Sequence, residues 1–432
     1  MGFIHQEIFP GYSLGDYSPV RLMGVVNLSP ESFYKPSYTQ KTELKRTVLS
    51  FIEAGATIID IGARSTAPGV SPITIKEEQE RIAETLKVLA DFFPKEIILS
   101  IDTQYTAVAK DCLEFAVQNK IKLIINDVSS FTTDPSLMDF IVDKQIPCII
   151  MASKNRPGDP CTVEDTLIAL SRTIAQLQKK KYPLSKLIID PAIGKWTAEK
   201  TYEYDLALLD NLREFQCFGL PILVGLSRKS FIGSVLNEKD PLKRDIGSYA
   251  STAIAVYNGA HIIRTHDINR EVIQTIQMAS AIRKKPVELK KEHQICQIAP
   301  LFATNEGAYH FQRRFGITPA GARIMKNKMI TKIIVIKNVT APQGLILKQE
   351  LLARGGDVGL HGQIITTEWK KYDECFDIVL IGTIKQIENL IQKLKGQQLK
   401  LDLLARLLED TLQKEQDITH IYMRDYPNLL KT

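Results

Sequence analysis

Two stretches carry side chains that could do chemistry together. Leu223-Val224-Gly225-Leu226-Ser227-Arg228-Lys229-Ser230-Phe231-Ile232-Gly233 runs from an apolar segment into two hydroxyls and two cations. Such an exit suits an anionic or planar ligand; a solvated, positively charged helix start is the plainer alternative. Arg264 and His266 follow another apolar segment, and Asn27, Asp102, Asn126-Asp127 and Asp190 close four more. Carboxylates accept charge-assisted hydrogen bonds, and a guanidinium donates them in a planar fork. Taken singly, each has a simpler role. A strand-end Asp caps a helix, the simpler role for Asp127; Asn27 reads equally as a turn residue, and His266 as a core histidine.

What would bring these groups together is the rhythm of the chain from residue 20 to about 270. Short Ile-, Val- and Leu-rich runs alternate with longer amphipathic stretches: Leu22–Val26, Thr57–Ile61, Ile97–Ile101, Lys122–Ile125, Cys148–Met151, Leu187–Ile189, Ile222–Leu226 and His261–Ile263. That pattern marks buried parallel strands joined by helices. Eight such units match the ~250 residues of a (βα)8 TIM barrel, so the expected fold class is α/β. An open doubly wound sheet usually carries G-x-G-x-x-G after its first strand, and the string is missing here. In a barrel all the polar strand ends share one mouth, where barrel enzymes keep their chemistry. Met151, apolar at such an end, reads as pocket wall.

The expected barrel spans residues 1–283. A charged, turn-rich stretch, 284–325, reads as a linker with little helix. Residues 326–432 suit a small α+β domain, in the order strand Ile330–Ile336, helix Gly344–Ala353, strand Val358–Ile365, strand Phe376–Ile381, helix Ile384–Leu394 and helix Lys400–Lys414. No His, Cys or carboxylate cluster marks it, so docking or oligomerisation is its simplest use. Lys+Arg 55 against Asp+Glu 49 leaves a net charge of only +6 spread over 432 residues, which points to small anions and not to nucleic acid. The six cysteines form no C-x-x-C pair, which argues against a zinc site or disulfide framework and for a reducing, cytoplasmic setting. No apolar run approaches the ~18 residues of a membrane span.

At the Ser227-Arg228-Lys229-Ser230 exit the sequence resembles the dihydropteroate synthase family, and the resemblance continues in order through the first domain. It includes Met23-Gly24-Val25-Val26-Asn27-Leu28-Ser29-Pro30-Glu31-Ser32-Phe33, then Asp60-Ile61-Gly62 with Ser65-Thr66 and Pro68-Gly69. Ser100-Ile101-Asp102-Thr103, Ile124-Ile125-Asn126-Asp127, Asp190-Pro191-Ala192-Ile193-Gly194 and Ile263-Arg264-Thr265-His266-Asp267 follow. The resemblance implies a transferase that displaces diphosphate from a hydroxymethyl-dihydropterin diphosphate with an arylamine. It implies that Asp190, Asp102, Asn126, Met151 and Lys229 meet the pterin, with Asp102, Lys229 and Arg264 acting in the reaction. Asn27, Arg264 and His266 would cradle the diphosphate, Asn27 near a Mg2+ ion, and Thr66, Pro68, Ser230 and Lys35 would face the second substrate. A homodimer is the expected assembly.

The loops that would receive the amine depart from the family pattern. Lys35 stands where the family has Asp, Ala67 where it has Arg, Arg64 where it usually has Glu, and Lys195-Trp196 interrupts an aromatic-and-Gly stretch. Loss of an Asp and an Arg together fits removal of a matched ion pair. One expectation is therefore a different arylamine, such as a ribosylated and phosphorylated one whose phosphate meets Lys35, Arg64 or Lys195. The alternatives are a pterin-binding protein without turnover and a methyl-tetrahydropterin methyltransferase, which would not need the Arg264-x-His266 cradle.

Overall fold

The computed structural model describes residues 4–30, 39–40, 42–64, 72–291, 294–369 and 371–417. The chain divides into two compact units, Met1–Pro300 and Leu301–Thr432. In the first, β1 (His5–Phe9) and β2 (Tyr12–Gly15) make an antiparallel hairpin. Eight parallel strands follow: β3 (Arg21–Asn27), β4 (Ile58–Gly62), β5 (Ile98–Asp102), β6 (Lys122–Asp127), β7 (Cys148–Met151), β8 (Leu187–Asp190), β9 (Leu223–Gly225) and β10 (Ile262–Thr265). β10 pairs with both β3 and β9, and a bridge from Ile189 to Ile222 joins β8 to β9. The sheet thus closes into the (βα)8 barrel that the apolar runs predict.

The helices between strands start and stop on local signals. Ile75–Ala90 opens on a Thr74–Glu77 capping box and buries Ile82, Leu86 and Leu89 at helical spacing. Inside the barrel Met23, Ile58, Ile98, Ile124, Ile149, Ile188, Leu223 and Ile262, one from each strand, pack with Ile8, Tyr12 and Leu14 of the hairpin. The hairpin therefore seals the N-terminal end. Because side chains alternate along a strand, the residues two positions on face the same interior: Val25, Asp60, Ser100, Asn126, Met151, Asp190, Gly225 and Arg264. The apolar ring is the floor, and this mostly polar layer lies above it toward the C-terminal mouth.

The 284–325 stretch holds more structure than its turn residues suggest. β11 (Glu288–Lys291) and β12 (Gln294–Gln297) pair, and helices form over Asn305–Arg314 and Pro319–Met325. Thr304 and Thr318 accept from the backbone of Gly307 and Gly321 as N-caps, and Pro319 sits in the first turn. In the second unit β13 (Thr331–Thr340), β14 (Asp357–Gly359) and β15 (Cys375–Thr383) form an antiparallel sheet in the order β13-β15-β14. Its core includes Ile336, Leu347, Leu351, Val358, Ile378, Leu380, Ile387 and Leu390. The expected strand Val358–Ile365 is shorter: it ends at Gly359, and Gly362–Ile365 turns into a helix that buries Ile364.

Along the sequence from 287 to 301, Val287, Leu289, Ile295, Ile298 and Leu301 are exposed, Leu301 at 90%. Limited trypsin digestion is expected to cut first after exposed Lys284, since Pro286 protects the bond after Lys285. The fragment ending there should keep a cooperative thermal transition by circular dichroism; a nick-resistant chain would show that the two units fold as one.

Candidate active site

Asp60 is the deepest charge at the mouth, with none of its side chain exposed. The Arg264 guanidinium donates to it from Nε at 2.7 Å and to Asp102 from an Nη at 3.0 Å. Ser100 Oγ donates to Asp60 Oδ1 at 2.6 Å, and Asn126 Nδ2 lies 3.3 Å from Oδ2. Four strands build this cluster: β4 gives Asp60, β5 both Ser100 and Asp102, β6 Asn126 and β10 Arg264. A buried carboxylate is tolerable only when paired and hydrogen-bonded like this. Burial pushes the Asp102 carboxyl well above its usual range, against the pull of Arg264 and helped by nearby Asp60, Glu78 and Asp127. For Arg264 itself, burial opposes the charge, yet Asp60 and Asp102 hold it more firmly protonated than usual.

Across the mouth, Asp190 Oδ1 accepts from the Ala192 amide at 2.7 Å. Burial raises this carboxyl too, while Lys229 pulls it down. The Lys229 ammonium donates to the Ile193 carbonyl and lies 5.6 Å from the Trp196 ring centroid. Its burial lowers it to about 8, against Asp190 and Asp205. His266 Nδ1 is 2.8 Å from Ser227 Oγ. Burial first, then the charges of Arg264, Arg228 and Lys229, push it down to about 3, so the imidazole is neutral at ordinary pH. Arg228 is committed to Asp267 at 2.8 Å and Asp245 at 3.3 Å.

Asp102, Asn126, Asp190 and Arg264 thus come together, with Lys229 and His266 at the rim. Met151 is fully buried, and its carbonyl accepts from Ser130 and Ser153. Asn27 Oδ1 accepts from the Ser29 amide, which shapes the turn after β3. Asp127 caps a loop and not a helix: it accepts from Ser129 N and Oγ and from Phe131 N, and burial lifts it to about 6. Ser230 begins the helix Ser230–Leu236 and, with Lys195, Tyr202 and Ser234, lines a cavity of about 330 Å³. Lys35, Thr66, Ala67 and Pro68 lie outside the described residues. Arg64 is bound to Glu78 at 2.6 Å and packed 4.8 Å from the Tyr105 ring centroid. Sequence reasoning missed Asp60, Ser100 and Glu78. A carboxylate two places after an inward Ile58 was the available signal, and it was hidden inside an apolar run.

A closed barrel whose mouth gathers paired carboxylates and cations from most of its strands defines a barrel enzyme with a small-molecule site. The model of the pterin binding enzyme family matches residues 23–266, more than half of the chain. The dihydropteroate synthase of Escherichia coli (strain K12) is 32% identical over 277 residues, 62% of this chain and 93% of that protein. Among solved structures, the dihydropteroate synthase of Coxiella burnetii in complex with pteroic acid aligns with TM-score 0.56 and 30% identity, covering 65% of this chain and 98% of that one. That of Xanthomonas albilineans with 4-aminobenzoic acid aligns with TM-score 0.54 and 27% identity, covering 65% and 98%. The chain belongs to the pterin binding enzyme family, and within it to the dihydropteroate synthases, which are transferases.

Asp60→Ala would leave Arg264 with Asp102 alone. Breaking a buried pair costs ~3 kcal/mol when one partner keeps some solvent, as Arg264 does at 23% side-chain exposure. Urea denaturation should show a loss near that size; an unchanged midpoint would mean that Asp60 does not anchor Arg264.

Proposed function

We propose that the mouth joins 6-hydroxymethyl-7,8-dihydropterin diphosphate to an arylamine and releases diphosphate. The observation that carries this is one mouth in which Asp102 binds Arg264, Asn126 lies against Asp60 of the same cluster, and Asp190 acts on the charges of both Arg264 and Lys229. The pterin ring offers amide and amino donors to Asp190, with Asn126 and Asp102 completing the contact, and its carbonyl side meets the Lys229 ammonium. The arylamine nitrogen bonds to the pterin methylene carbon as the carbon–oxygen bond to diphosphate breaks, and the amine's extra proton leaves to solvent. Positive charge develops on that methylene, and ionised Asp102 stabilises it.

Arg264, His266 and Asn27 meet the diphosphate. Two of the five guanidinium donors of Arg264 are used by Asp60 and Asp102, so it reaches the anion while still anchored. His266, neutral, serves as a hydrogen-bond donor and not as a cation. Among the described residues no group of three His, Cys, Asp or Glu stands ready for a metal. A Mg2+ ion fits here only as one carried by the diphosphate, with Asn27 Oδ1 as its protein oxygen, since magnesium keeps waters and substrate phosphates as ligands. When bound, it would neutralise charge on the departing diphosphate.

The arylamine carries an anionic substituent, for which Ser230 and Lys195 at their shared cavity are the available partners. With Arg64 engaged by Glu78, the case for a phosphate-bearing acceptor rests on Lys195 and Lys35. A homodimer is supported by apolar surface on the helices Asp245–Tyr257 and Arg270–Ile282, where Ile246, Ile254, Met278 and Ile282 are exposed. A cytoplasmic setting is supported by the six free cysteines. No helix among the described residues is long and apolar enough to cross a membrane.

A diphosphate-release assay with p-aminobenzoate and phosphate-bearing arylamines tests the reaction. Turnover with at least one acceptor is expected; pterin binding without release by any would make the protein a binder and not a synthase. Arg264→Ala should weaken the pterin diphosphate more than the same pterin without diphosphate in calorimetry, and equal losses would remove Arg264 from the leaving-group site. Pterin affinity should rise as Asp102 ionises through pH about 7 and fall as Lys229 loses its proton above about 8. In Lys229→Arg, which stays charged, the fall should flatten; an identical fall would assign it to another group.

A further inference from the structure

Lys200 and Asp205 belong to no role assigned so far, yet they are among the most deeply buried charges of the barrel, at 0% and 1% side-chain exposure. Placing an ammonium there costs several kcal/mol unless something compensates. Lys200 Nζ donates to the Ala192 carbonyl at 2.6 Å, and Asp205 Oδ1 accepts from the Gly194 amide at 2.6 Å, the two charges lying 3.9 Å apart. Both bonds therefore land on one turn, Ala192-Ile193-Gly194.

That turn is unusual in its backbone. Ala192 has φ +61° and Gly194 φ +132°, conformations that side chains disfavour. A Cβ at Gly194 would lie 2.8 Å from Lys229 Nζ. The turn also carries two contacts of the site itself: the Ala192 amide donates to Asp190, and the Ile193 carbonyl accepts from Lys229. We propose that Lys200 and Asp205 are positioning residues: they clamp the Ala192–Gly194 turn from behind and, through it, fix where Asp190 and the Lys229 ammonium meet the pterin. This rests on the assignment of Asp190 and Lys229 to the pterin. It explains why a costly charge pair is placed behind a loop that an apolar pair could fill.

Two variants separate positioning from bulk stability. Asp205→Asn keeps an oxygen for the Gly194 amide. Lys200→Met/Asp205→Asn removes both charges, so no buried ion is stranded, but it loses the bond to the Ala192 carbonyl; such neutral replacements of a buried pair commonly fold, and a cavity of about 330 Å³ lined by both residues leaves room. The groups acting on the charge of Lys229 are Asp190, Asp205, Arg264 and Lys200. Asp205 raises the pKa of Lys229 more than Lys200 lowers it, so deleting both charges would by itself draw the pH midpoint of pterin binding down, and only movement of the turn would raise it. Calorimetry of a pterin ligand against pH, with urea denaturation in parallel, reads the outcome. Asp205→Asn should bind within about threefold of the unsubstituted chain, and the double variant about tenfold or more weaker, with its midpoint raised above about 8. A double variant with unchanged affinity and no rise in midpoint, whatever its stability, overturns the inference alone. An unsubstituted chain that binds no pterin overturns the assignment of the site, and this inference with it.

Discussion

Arg264 lies between two carboxylates where little water reaches, and the polar layer of the barrel is built around that contact. Asp60 is fully buried; without Arg264 it would be a buried carboxylate with hydrogen bonds but no bound cation. Without Asp60, Arg264 would turn only to Asp102. Ser100 and Asn126 fill the remaining capacity of Asp60. The cluster exists only when β4, β5, β6 and β10 hold register, as in the pairing of Asp60 with Ser100 across β4 and β5. Closing the barrel and assembling the site are therefore one event, driven by the apolar ring below.

The second half of the mouth follows the same logic with different groups. Asp190 and Lys229 are both half-buried, and loss of water shifts each toward its neutral form while each opposes the shift of the other. The site is thus nearly self-neutral before substrate arrives. A heterocycle with donors on one side, a carbonyl on the other and an anionic tail can replace these internal contacts group by group. That is how a preorganised site stabilises charge that develops during reaction without first rearranging.

Much of this architecture is legible in the chain. All eight barrel strands coincide with apolar runs, because a parallel strand buried on both faces leaves an uninterrupted mark. Asp102, Asn126, Asp190 and Arg264 were visible because they end such runs. Asp60 was not, because one carboxylate inside Thr57–Ile61 looks like a defect until its partner from β10, some 200 residues on, is known. Lys200 and Asp205 were invisible for a related reason: nothing local distinguishes a buried Lys from a solvated one. The helices within 284–325 were overlooked although Thr304, Thr318 and Pro319 mark their starts, since charge and turn residues outweighed the caps.

The central claim is that burial holds the Asp102 carboxyl near the point of losing its proton, and that pterin donors fix it as the carboxylate. Calorimetry of a pterin without diphosphate, at neutral pH in buffers of different ionisation enthalpy, counts the protons exchanged on binding. The account predicts net release of a fraction of a proton, abolished in Asp102→Asn. Binding with no proton exchange, or with uptake, would contradict it.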